Sequence, residues 1–161
     1  MTMWCMMNAP LMLGLDLRRV SKGDVLWNII ANHDLIALNQ DALGIQAKRV
    51  FTTIETDAPD TDYITNHNRC DILAKPLSDG SIAVSFINVN DKDWSGKLSI
   101  SAEKLVEMLG HKMVNAPAFQ NAGSYVVTDL WSKEVTENTT GCFEVSELAA
   151  CDNVTIRITA K

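Results

Sequence analysis

Hydrophobic positions change their spacing near residue 46: before it they fall in runs and at helical intervals, and after it they tend to alternate. Spacing of three to four residues marks a helix with one buried face, and alternation marks a half-buried strand. Residues 3–7 predict the last turns of a buried helix, because Pro10 restricts the residue before it and ends the pattern. Leu11, Met12 and Leu13 form an unbroken apolar run closed by Gly14, the signature of a strand buried on both faces of a parallel sheet. Ser21 is placed to cap a helix, with Asp24 in the capping-box position. Val25, Leu26, Ile29 and Ile30 then recur on one face as an amphipathic crossover helix, and Leu35, Ile36 and Leu38 continue to a stop at Gly44. Residues 1–45 therefore read as one α/β unit with a single strand.

From residue 46 to 161 the expected strands are 48–53, 72–75, 82–89, 97–101, 124–131, 142–147 and 153–159, separated by turn signals such as Ser78-Asp79-Gly80. In the last, Val154, Ile156 and Ile158 alternate with Thr155, Arg157 and Thr159, which predicts one buried and one wet face. Residues 102–109 predict a short helix between strands. The expected class is mostly β: an antiparallel β-sandwich over 46–161.

With 161 residues, the chain is too short for a complete (β/α)8 barrel of roughly 250 residues. The net charge of -6, from 20 acidic and 14 basic residues, argues against nucleic acid as a partner. The apolar stretch 1–17 is interrupted by Asn8, Pro10, Gly14 and Asp16, so no membrane-spanning helix is expected and the segment reads as core. Met1, Met3, Met6, Met7 and Met12 are expected to fill gaps in that core. Cys5, Cys70, Cys142 and Cys151 lack any C-x-x-C pair and are expected as buried free thiols. His33 is expected to interact with a helix dipole, and His67 and His111 have no second ligand at metal spacing.

Three stretches carry a family resemblance. The run from Trp4 to Arg18 contains Trp4, Ala9-Pro10-Leu11 and Asp16-Leu17-Arg18 at the spacing W-x-x-x-x-A-P-L-x-x-x-x-D-L-R. Ile36-Ala37-Leu38-Asn39-Gln40-Asp41-Ala42-Leu43-Gly44-Ile45-Gln46 follows, and later Lys75-Pro76-Leu77-Ser78-Asp79-Gly80-Ser81 and Asp129-Leu130-Trp131. In this order they resemble the C-terminal part of glycoside hydrolase family 27, the α-galactosidases (melibiases), with α-N-acetylgalactosaminidases as close relatives. Leu15, Ala42 and Cys151-Asp152 depart from the usual Asn, Pro and His-Gly.

The resemblance implies that residues 1–45 are the last strand and helix of a (β/α)8 barrel, preceding the sandwich. It implies retaining hydrolysis of terminal α-D-galactosides without a cofactor, by two aspartates about 5–5.5 Å apart. Those aspartates belong to the fourth and sixth barrel strands, outside these residues, so a chain of these residues is expected to be inactive alone. Gly14 and Asp16 fall at the C-terminal rim of the last strand, where such barrels hold substrate, and are the candidate substrate-binding residues. Asp16 has a second reading, in which it holds the loop by bonding backbone amides or Arg18. Asn39, Gln40 and Asp41 are expected as a structural corner. Trp94 and Trp131 are the aromatic candidates for stacking on a sugar, against a plain core role. The expected partners are an upstream barrel portion of the same enzyme and, in the complete enzyme only, a galactoside. A homodimer through the exposed strand 11–13 is the other expectation. Half of a split enzyme, or a carbohydrate-binding β module, are the alternative functions.

Overall fold

The alternating segments pair as antiparallel strands. The computed structural model describes residues 1–54 and 69–161. Its strands are β1 (Lys48–Thr52), β2 (Cys70–Pro76), β3 (Ile82–Asn88), β4 (Leu98–Ser101), β5 (Tyr125–Asp129), β6 (Val135–Asn138), β7 (Cys142–Val145) and β8 (Asn153–Ala160). A six-stranded sheet runs in the order β1-β2-β3-β8-β5-β6, and β4 pairs with β7 in a separate ribbon. The register places Ala74 beside Val84, Val84 beside Ile156, and Val127 beside Ile158. Each step is antiparallel.

The helices are α1 (Thr2–Met6), α2 (Val25–Ile30), α3 (His33–Asn39), α4 (Ala102–Leu109) and α5 (Ala116–Gln120). On one face of the sheet, Ile72, Val84, Phe86 and Ile158 pack with Leu98, Ile100 and Phe143 of the ribbon and with Leu105 and Leu109 of α4. On the other face, Leu73, Leu77, Ala83 and Leu130 pack with Cys5 and Met6 of α1 and with Leu35 and Leu38 of α3. Covering both faces explains why every residue of β2 is buried although its sequence includes Asp71 and Lys75. Each large side chain removed from water there contributes roughly 1.5–3 kcal/mol.

Several expectations are corrected. Residues 11–13 form no strand: Leu11 is half-buried and Met12 and Leu13 are exposed, because among the described residues no strand lies beside them to take their backbone hydrogen bonds. The helix over residues 25–30 forms but buries no residue, and Val25 is 77% exposed. Its cap is Asp24, whose carboxylate accepts from the Trp27 amide and, reaching back, from the Ser21 amide; Ser21 is not the cap. α3 is a separate helix capped by Asn32, and His33 is its first residue. Of the N-terminal methionines only Met6 is buried, and Met12 is 83% exposed. Cys5 and Cys70 are buried free thiols, but Cys142 is half-buried and Cys151 exposed. The second face of β8 is not uniformly wet: Thr155 is buried and bonded to Ser85 Oγ at 2.9 Å. β6 and α5 carry too little apolar pattern to be foreseen.

Candidate functional site

A clamp holds the N-terminal segment to the sheet. Asn8 adopts a left-handed backbone, φ 51°, which asparagine tolerates better than most residues. This turns its Oδ1 toward Lys75 of β2, whose ammonium donates to it at 2.5 Å and to the Leu38 carbonyl at 2.6 Å. Lys75 is fully buried. Burial pushes its pKa down, and the charges of Asp41 and Cys5 oppose that shift. The Cys5 thiol is in turn raised by its own burial. Beside the clamp, Asn39 Nδ2 donates to the Ala9 carbonyl at 2.8 Å and to that of Trp4 at 3.3 Å. Asp41 accepts from the Ser78 hydroxyl at 2.7 Å and from the Ser78 and Leu43 amides. Asn39, Gln40 and Asp41 thus form a structural corner between α3, the start of the segment and the β2–β3 turn.

Beyond the clamp lies the loop of residues 14–19. Gly14 is exposed, and a Cβ added there would meet no atom within 4 Å, so no close packing demands glycine. Asp16 caps the 3₁₀ turn Leu17–Arg19. Its Oδ1 accepts from the Arg18 amide at 3.1 Å and from Arg18 Nε at 2.9 Å, and its Oδ2 accepts from Arg18 Nη2 at 3.0 Å. The Arg18 side chain first, then its amide, holds the carboxyl below the usual aspartate range. A carboxylate already committed to a bidentate pair is a poor nucleophile or proton donor.

The two aromatic candidates part company. Trp94 bridges to Leu148 within the sandwich, and its indole nitrogen is buried without a hydrogen-bond partner among the described residues. Trp131 instead lines a groove of about 660 Å³ together with Trp27, His33, Asp34 and Lys133. Trp27 and Lys75 carry no site signal in the sequence: Trp27 belongs to no motif, and Lys75 stands only at the head of the Lys75–Ser81 run that closes strand 72–75. His33 and His111 are exposed, and His67 lies outside the described residues. Among the described residues no three His, Cys, Asp or Glu side chains cluster to hold a metal, and no helix is long and apolar enough to cross a membrane.

Comparison with known proteins places this geometry. The model of the alpha galactosidase C-terminal beta sandwich domain matches residues 67–158. The chain is 31% identical over 144 residues to alpha-galactosidase 3 of Arabidopsis thaliana, covering 89% of this chain and 27% of the relative. It is 27% identical over 158 residues to alpha-N-acetylgalactosaminidase of Gallus gallus, covering 98% of this chain and 30% of that protein. It thus spans between a quarter and a third of the length of these relatives. In fold it is similar to alpha-galactosidase I from Mortierella vinacea, with TM-score 0.71, 19% identity and coverage of 99% of this chain and 34% of that one. The matched residues take in β2 to β7, α4, α5 and all but the last two residues of β8, so the chain belongs to the alpha-galactosidase C-terminal β-sandwich family, the C-terminal part of glycoside hydrolase family 27 enzymes.

Proposed function

We propose that these residues are the barrel-closing and bracing C-terminal portion of a retaining glycoside hydrolase that removes terminal α-D-galactose. The observation that carries this reading is the seat of residues 1–45 on the sheet. Buried Lys75 spends its ammonium on Asn8 and Leu38 of that segment, so sheet and rim loop are held in one register. In the complete enzyme one aspartate attacks the anomeric carbon while the other protonates the leaving oxygen; water then cleaves the glycosyl-enzyme. The resemblance assigns both aspartates to barrel strands outside these residues. The rim loop supplies Asp16 alone, ion-paired to Arg18. Its part is to hold the loop at the pocket rim, with Gly14 leaving room for the galactoside beside it. No cofactor takes part in either step.

A protein of these 161 residues is expected to release no nitrophenol from p-nitrophenyl α-D-galactoside. Mixed with a separately produced barrel portion of the Arabidopsis relative, it is expected to co-purify with it and restore turnover. Turnover by the 161 residues alone, or failure to associate, overturns the reading.

A further inference from the structure

We infer that the groove between α2, α3 and residues 130–133 is a binding site for a neutral pyranose ring. Its volume of about 660 Å³ lies within the range of small-ligand sites. One wall is the Trp131 indole, whose Nε1 donates to Thr2 Oγ1 and to Asn153 Oδ1, each at 3.2 Å. The ring cannot turn without breaking both bonds, so it stands as a preset stacking surface. Trp27 adds a second indole from α2.

The polar groups decide what such a surface takes. The Lys133 ammonium donates to Asn32 Oδ1 at 2.9 Å, to the Leu130 carbonyl at 2.5 Å and to Asp34 Oδ2 at 2.5 Å. Its three protons are thereby used, and nothing remains to hold an anion. Asp34 Oδ1 carries no hydrogen bond among the described residues, and the Asn28 carboxamide makes only a 3.4 Å bond to the Gly23 carbonyl. His33 is exposed on the same groove. A free carboxylate oxygen rejects an anionic ligand, and a purely apolar one would desolvate it without a partner. A neutral polyol with one apolar face meets both demands: its C–H face lies on an indole while its hydroxyls donate to Asp34 and exchange bonds with Asn28. This inference rests on the groove alone and does not require the hydrolase reading.

The test is a titration of the ¹⁵N-labelled chain with methyl α-D-galactopyranoside, followed at the indole N–H signals of its four tryptophans. Saturable shifts are expected for Trp27 and Trp131, with Trp94 unmoved and an affinity of roughly 1–10 mM. Trp27→Ala, at an exposed site, is expected to remove the binding, and Asp34→Asn to weaken it by about tenfold, as the loss of a charged acceptor does. D-Galacturonate is expected to bind at least about tenfold more weakly than the neutral glycoside, through repulsion by Asp34. The inference is overturned by an absence of saturable shifts, by shifts confined to the Gly14–Arg18 loop, by unchanged affinity in Trp27→Ala, or by equal binding of galacturonate. Hydrolysis enters none of these readouts, so failure here is separable from failure of the functional reading.

Discussion

Lys75 and Asn8 stand 67 positions apart in the chain, and the ammonium of one meets the side-chain carbonyl of the other at 2.5 Å. With the Leu38 carbonyl as second acceptor, a buried cation is solvated by two amide dipoles and, among the described residues, forms no ion pair with a carboxylate. Replacing it by an apolar side chain leaves both acceptors without their donor. Lys75→Met is expected to cost about 1–3 kcal/mol. Hydrogen exchange should show the loss first in residues 1–45, while amides of β3 and β8 keep their protection.

The same lysine gives a pH dependence. Burial lowers its pKa below the ordinary value of about 10.4, so in the window beneath that value the unfolded chain binds more protons than the folded one. Its contribution to stability is therefore full above the ordinary value and is lost as pH falls through the lowered one. Cys5 and Cys70 act oppositely: burial raises their thiols, so their contribution is full below about 8.5 and fades as pH rises through the folded values. Urea midpoints between neutral and alkaline pH, taken as the difference between wild type and Lys75→Met, should isolate a rising lysine term.

Asp16 should titrate below an ordinary aspartate, and Arg18→Ala should bring it back up, followed by carboxyl carbon NMR. The stabilisation of the loop is present above about 3.9 and lost as pH falls through the lowered value. Because the pair is exposed, global unfolding is expected to be unaffected by Asp16→Asn.

Gly96 lies against Trp94: a Cβ there would fall 2.6 Å from the indole Cζ2. Gly96→Ala is expected to destabilise by about 1–3 kcal/mol through overpacking. Trp94→Phe in the same chain should recover part of this, since it shrinks the ring and removes the unpartnered buried nitrogen. Denaturant unfolding of the wild type and the two variants checks both statements.

Ser85 and Thr155 share a buried hydroxyl pair, but their positions are unequal. Thr155 Oγ1 also donates to Asn153 Oδ1, which leaves Ser85 to donate to Thr155. Thr155→Val strands the Ser85 hydroxyl and is expected to cost about 1–3 kcal/mol; Ser85→Ala strands no donor and should cost less. A double-mutant cycle measures the difference.

Met12, Leu13, Leu17 and Val25 leave apolar surface exposed along the N-terminal segment. Self-association that grows with concentration is expected in sedimentation, and Met12→Ser with Leu13→Ser should reduce it.

Local grammar made much of the fold legible. The alternation of Val154, Ile156 and Ile158, the turn at Ser78-Asp79-Gly80 and the helical spacing of Leu105 and Leu109 depend on neighbours within a few residues, and each formed as spaced. β6 escaped notice because an edge strand of Val135–Asn138 buries none of its residues and so carries no pattern. Residues 11–13 misled for the converse reason: their apolar run describes a strand whose partners must come from elsewhere. Of the candidate site, the bond between Asp16 and Arg18 could be read locally, since the two are only two residues apart. The Trp27–Trp131 groove could not, since no sequence window spans it.

The sequence by itself determined the mostly antiparallel β character of residues 46–161, the helix over 102–109 and the family they follow, because periodicity and motif are written in short-range order. Only the tertiary structure decided that Lys75, Asp71 and Thr155 would lie under cover. The second face of the sheet was closed by a segment remote in the chain, and burial of a charge or hydroxyl depends on what arrives over it, not on the residues beside it.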